Sequence, residues 1–152
     1  GKIKVNNKIS QYFIKKYYEP DLQLKFINSL LKLANTSIDI SDGLIDDLKK
    51  LINRQNVSFH IFEKNIPMSN SLSQLIKIKK LSKIDVTSRG DDYQILFTAN
   101  SNKSRIIKKI SNNTGIKITK IGKIISGINK SKIINIKNKQ IEPKNKGYIH
   151  QF

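Results

Sequence analysis

The 152-residue chain contains no cysteine and no tryptophan, only three prolines, and 11 acidic side chains against 29 lysines and arginines. The missing cysteines exclude a disulfide framework, a thiolate nucleophile and a cysteine-based zinc site, and they fit a cytoplasmic protein. No apolar run approaches the roughly 18 residues that signal a membrane span, so no membrane partner is expected. The start carries no charged-then-apolar leader pattern, and Gly1 reads as a cut end, artificial or between domains, with the native start expected to lie before it. Arginine is scarce as well, with only Arg54, Arg89 and Arg105 among the basic residues. A net charge of +18 attracts phosphate backbones, but specific recognition favours the bidentate guanidinium that this chain has so little of. Lysine, isoleucine and asparagine are raised together and the lysines are spread along every segment, the mark of a compositional bias. Salt-dependent nonspecific attraction is expected, and no specific nucleic-acid partner. Several catalytic motifs are missing too. There is no G-x-x-x-x-G-K-[ST] phosphate loop, no G-x-S-x-G elbow and no H-E-x-x-H helix.

What remains, with 38% hydrophobic residues, is enough for one domain with a core. The apolar spacing predicts helices over 8–18 and 21–33, separated by Pro20, with Leu24, Ile27, Leu30, Leu31 and Ala34 on one face of the second. A short strand over 36–40 should lead through Ser41-Asp42-Gly43 into an amphipathic helix ending around 54–56. Val57 to Phe62 is rich in strand formers. A helix over 69–79, a turn at 87–91, a strand over 93–98, a helix over 102–113 stopped by Gly115, one strand or two over 116–125 and a last strand over 132–136 complete the pattern. The segment 138–146 is polar. Strands and helices alternate irregularly, so the expected fold class is α+β, a mixed β-sheet layered with helices, in a single domain spanning 1–152.

Three clusters carry chemistry. In Asp39-Ile40-Ser41-Asp42-Gly43-Leu44 two carboxylates and a hydroxyl stand at a strand-to-helix junction, where both acids can turn toward one hard cation; Mg²⁺ takes one or two carboxylates beside phosphate oxygens and water. The plainer alternative is that Ser41 and Asp42 cap the following helix. In Arg89-Gly90-Asp91-Asp92-Tyr93-Gln94 adjacent acids sit at a strand entrance, either touching a ligand or closing an Asx-turn. The tail Gly147-Tyr148-Ile149-His150-Gln151-Phe152 is aromatic and can form a docking strand or a pocket wall. Asp46 and Asp47 read as acids of a helical first turn, favoured by the helix dipole. His60 and His150 have no partners at metal spacing.

In this order these clusters, with Ile121-Gly122-Lys123-Ile124 and Gly127 between them, resemble the C-terminal half of thiamine-monophosphate kinase, in the aminoimidazole-ribonucleotide-synthetase superfamily. The resemblance spans nearly all of the chain. It implies the C-terminal domain of a two-domain enzyme that transfers the γ-phosphoryl group of ATP to thiamine phosphate, giving thiamine diphosphate. By the same resemblance Asp39 and Asp42 are Mg²⁺ ligands, Ser41 contacts ATP, and Asp91 and Tyr148 meet the substrate. No residue is assigned as a covalent catalyst, since direct phosphoryl transfer depends on positioning and charge neutralisation. The helix that begins after Ser41 is expected to offer free N–H groups to phosphate. The absent N-terminal domain, in this family, supplies most nucleotide contacts and the dimer interface. The fragment alone is therefore expected to be inactive, the full enzyme to be a homodimer, and the apolar face of the first helices to be uncovered here.

The chain departs from the family pattern at Arg89, where a glycine is usual, at Asp91 and Gln94, where glutamate is usual, and in the tail at Ile149 and Gln151. Two other expectations stand beside the kinase: a sister ATP-dependent enzyme resembling selenophosphate synthetase or a hydrogenase-maturation protein, and a noncatalytic basic nucleic-acid-binding domain.

Overall fold

A computed structural model describes residues 5–90 and 93–144. Among them six α-helices and six strands form, in order, α1 (Asn7–Tyr18), α2 (Ile27–Leu33), β1 (Thr36–Asp39), α3 (Leu44–Leu51), β2 (Val57–Phe62), α4 (Asn70–Lys79), α5 (Lys83–Thr87), β3 (Ile95–Thr98), α6 (Ser104–Thr114), β4 (Gly122–Ser126), β5 (Lys132–Ile134) and β6 (Gln140–Ile141). The class is α+β, as the irregular alternation predicts.

The strands form two sheets. β1 and β3 pair antiparallel, with Ser37 opposite Phe97 and Asp39 opposite Ile95. The larger sheet has the order β4-β2-β5-β6. It is mixed, because β2 runs antiparallel to β4 and parallel to β5. β2 carries the core of this sheet: Phe59 and Ile61 alternate onto one face and are buried, as two-residue periodicity requires. Ser58 is buried as well. Its hydroxyl donates to the Gly127 carbonyl (2.6 Å) and accepts from the Lys130 amide (3.0 Å), tying down the β4–β5 connection.

The main core forms where α3 meets this sheet. Leu44, Ile45, Leu48 and Leu51 of α3 cluster with Phe59, Ile61, Ile133, Ile40, Ile66 and Ile84. Each fully buried aliphatic side chain of this kind contributes about 1.5–3 kcal/mol.

Several boundaries differ from the sequence expectation, each for a local reason. The second helix does not run through 21–33: the chain first makes a 3₁₀ turn at Leu24–Phe26, and α2 begins at Ile27. Its buried residues are Phe26 and Leu33, whereas Leu24, Ile27 and Leu31 face outward, so the anticipated face is not the buried one. Phe26 turns inward because its ring packs on Phe97 of β3, with centroids 5.6 Å apart. α3 stops at Leu51 rather than near 54–56, and Arg54 has the left-handed φ of 60° that ends a helical path. The turn expected at 87–91 is preceded by the short helix α5, capped by the Ser82 hydroxyl accepting from the Asp85 amide. In the segment 116–125 only β4 is a strand, and it extends to Ser126. The polar stretch after 138 contains β6, which pairs with β5.

Candidate metal and phosphate site

Asp39 ends β1 and is exposed, on the face opposite half-buried Ile38. The next residues leave the strand and enter α3 through Gly43, whose φ of 117° is one that L side chains rarely adopt. A Cβ there would stand 2.5 Å from the Ser88 carbonyl oxygen. The second cluster makes the reciprocal approach, since a Cβ on Gly90 would stand 1.9 Å from the Ser41 carbonyl oxygen. Two glycines thus let the backbone of 88–90 lie directly on the backbone of 41–43. The β1–β3 ladder continues into the same junction, with the Ile40 amide donating to Gln94 and the Tyr93 amide to Ile40, each at 2.9 Å. Clusters some fifty residues apart in sequence are therefore one structural unit.

The turn is held by a residue read from sequence as a first-turn acid of the helix. Asp47 is fully buried. Its Oδ2 accepts from the backbone amides of Ser41 (2.9 Å), Asp42 (2.9 Å) and Gly43 (3.2 Å). Its Oδ1 accepts from the Lys50 ammonium at 2.8 Å. Asp47 stands in the first turn of α3 as expected, and its burial there changes what the turn can offer. Asp47 is an internal clamp, and the amides of Ser41, Asp42 and Gly43 are taken by it instead of being open to phosphate. A signal was present in the sequence: Asp47 lies three residues after Leu44 and four before Leu51, on the buried stripe of α3. A charge on such a stripe must find hydrogen-bond partners or not be buried at all. Asp46, one residue earlier, is partly exposed and pairs with Lys49 at 2.9 Å.

Lys50 also pairs with Asp42, through Oδ2. The Asp42 side chain is 18% exposed and that of Lys50 49%. The hydrogen bonds to Asp42 first and Asp47 second hold the Lys50 ammonium above its ordinary pKa of 10.5, so it stays charged at neutral pH. Asp42 thus faces a cation contributed by the helix it leads into.

The donor set suits Mg²⁺ in kind: a partly buried carboxylate on the turn and an exposed one at the strand end. Among the described residues no group of three or more histidine or acidic side chains could hold a metal ion, so further ligands would have to come from phosphate, water or another part of the protein. A groove of about 320 Å³ beside α3 is lined by Ile45, Lys49, Ser88, Lys132 and Glu142, and neither Asp39 nor Asp42 lines it. Asp91 and Tyr148, the expected substrate contacts, lie outside the described residues. So do Asp92, Gly147 and His150. His60 lies half-buried on β2 opposite Lys123, with no metal-binding group around it among the described residues.

Comparison with known proteins gives this geometry a setting. The chain is 30% identical over 138 residues to the thiamine-monophosphate kinase of Aquifex aeolicus, covering 90% of this chain and 40% of that protein. With the thiamine-monophosphate kinase of Buchnera aphidicola subsp. Schizaphis graminum the identity is 32% over 145 residues, or 95% of this chain and 44% of the relative. The chain matches the C-terminal part of the thiamine-monophosphate kinases. Its fold agrees with that match: a solved structure of AaThiL complexed with AMPPCP and TMP superposes with a TM-score of 0.72 at 27% identity, covering 99% of this chain and 44% of that one. The chain thus spans less than half the length of the thiamine-monophosphate kinases it matches. No family model matches it.

Proposed function

We propose that this chain is the C-terminal domain of an ATP-dependent thiamine-phosphate kinase, which transfers the γ-phosphoryl group of ATP to thiamine phosphate and yields thiamine diphosphate. The observation that carries the proposal is the junction of Asp39–Gly43 with Ser88, Gly90, Tyr93 and Gln94, backbone on backbone, in a chain that matches these kinases over 90% or more of its length. The AaThiL structure with AMPPCP, an analogue of ATP, and TMP supports the choice of substrates.

Phosphoryl transfer asks a protein for in-line positioning and charge neutralisation more than for covalent chemistry. Asp39 and Asp42 would hold Mg²⁺, with Ser41 between them as an ATP contact and Asp91 and Tyr148 toward the thiamine phosphate. When bound, Mg²⁺ supplies positive charge to the phosphate oxygens as negative charge builds on them. The contribution of the chain is orientation. Asp47 fixes the backbone of 41–43 through three amides, and the close approach of Gly43 and Gly90 fixes that turn against the second cluster. The exposure of Asp39, of Ile14, Tyr17, Tyr18 and Leu31 on the first helices and of Leu22 in the segment between them fits a domain that meets an N-terminal domain there. On this reading the N-terminal domain supplies most nucleotide contacts, the whole enzyme dimerises through it, and the domain alone is inactive.

The test is a kinase assay on the full gene product with thiamine phosphate, ATP and Mg²⁺. Asp42→Ala should lower thiamine diphosphate formation by at least about 100-fold while leaving the protein folded. A folded, ATP-binding wild type that forms no thiamine diphosphate would overturn the assignment.

A further inference from the structure

We infer that Lys50 is a built-in counter-ion for Asp42, which a divalent cation must displace in order to bind. The inference rests on the assignment of Asp42 as a metal ligand and adds a residue that opposes the metal. Its basis is geometric. The Lys50 ammonium bridges Asp42 Oδ2 and Asp47 Oδ1. Asp47 cannot follow a moving lysine, because it is fully buried and its other oxygen holds three backbone amides. The ammonium is therefore stationed at Asp42 by a rigid anchor and not by a mobile surface partner.

A fixed positive charge at this place does two things. Without a metal it offsets the charge of Asp42, whose side chain is only 18% exposed to water. Toward a cation it acts in the opposite sense, occupying one carboxylate oxygen and repelling a second positive charge nearby. Lys50 is itself half exposed, so when the metal arrives the ammonium can exchange Asp42 Oδ2 for water while keeping its contact to Asp47 Oδ1. Metal affinity is thereby set below what the carboxylates alone would give, so that the cation binds best when it arrives with polyphosphate, whose negative charge offsets the ammonium. Lys50 is a positioning residue here, since it acts on the metal through Asp42.

The test measures binding and not turnover. Mn²⁺ titrations of the full gene product, followed by electron paramagnetic resonance, count the sites and give their affinities without nucleotide. Asp42→Asn should remove or severely weaken one site. Lys50→Met should tighten that same site about tenfold, and Lys50→Gln, also uncharged but able to donate to Asp47, should tighten it likewise. Lys50→Arg, which keeps the charge, should not. Thermal melting well above the titration temperature confirms that each variant is folded. If Asp42→Asn removes a site while both neutral Lys50 variants bind Mn²⁺ no tighter than wild type, the counter-ion role is overturned and the metal assignment stands. If Asp42→Asn leaves every site intact, the metal assignment itself fails, and the role of Lys50 with it.

Discussion

Helices α3 and α6 carry the same kind of sequence and meet opposite fates. Both have a regular apolar stripe, Leu44, Ile45, Leu48 and Leu51 in one and Ile106, Ile107 and Ile110 in the other. In α3 all four stripe residues are buried against the four-stranded sheet. In α6 no residue is fully buried and Ile106 is 50% exposed. α6 packs on the Ser101–Lys103 turn that leads into it, and its Ser111 hydroxyl donates to the Ile116 carbonyl beyond its end (2.7 Å). Lys103 in that turn reaches instead to the end of α2, donating to the carbonyls of Lys32 and Leu33 at 3.1 Å each. Amphipathicity tells which side of a helix wants cover, and says nothing about whether a neighbour provides it.

The contrast extends to how the helices begin. α3 starts from a turn held by the buried Asp47 carboxylate, whereas the turn leading into α6 is held at the surface by the Asn100 side chain, accepting from the Asn102 amide at 3.2 Å. The largest effect should therefore come from Asp47→Ala. It removes a charged acceptor of three amides and leaves the Lys50 ammonium one partner short, so a loss of about 3–5 kcal/mol is expected in denaturant unfolding. A loss below about 1 kcal/mol would mean that the turn holds itself and that the clamp is incidental. Next comes the direct comparison of the stripes. Leu48→Ala should cost about 2–4 kcal/mol, and Ile106→Ala less than about 1 kcal/mol. Equal costs would show that α6 is covered in solution by another part of the protein or by a partner.

The smallest effect is a pH dependence. The pKa of Lys50 is higher in the folded than in the unfolded chain, so the ammonium contributes stability that is fully present below its ordinary value of 10.5 and fades as pH rises through the higher folded value. The stability difference between wild type and Lys50→Met should accordingly stay constant up to about pH 10 and shrink above it. Lys50 is half exposed, so solvent screening keeps this contribution small. A difference that persists undiminished well above that range would assign the effect to packing of the lysine stem.

Much of this was legible along the chain. The strand Thr36–Asp39, the Ser41-Asp42-Gly43 turn and the apolar stripe of α3 followed from periodicity and from glycine placement, as did β2 from its run of strand formers. Those are local properties, set by φ/ψ preference and by the spacing of side chains on one element. The order of the clusters pointed to the thiamine-monophosphate kinases, and the comparisons agree. The place of Asp47 was not read, although an acid on an apolar stripe marks it. A charge becomes an internal ligand only once a turn folds back to present amides to it.

The sequence by itself determined the α+β class, most of the elements, and the residue types that gather at the Asp39–Gly43 turn. Only the tertiary structure decided that Asp47 is buried, that Lys50 faces Asp42, that Gly90 lies on the backbone of Ser41, and that α3 is covered while α6 is not. The physical reason is range: propensity and periodicity act within a few residues, whereas burial, ion pairing and close backbone approach depend on which distant segments arrive at the same place.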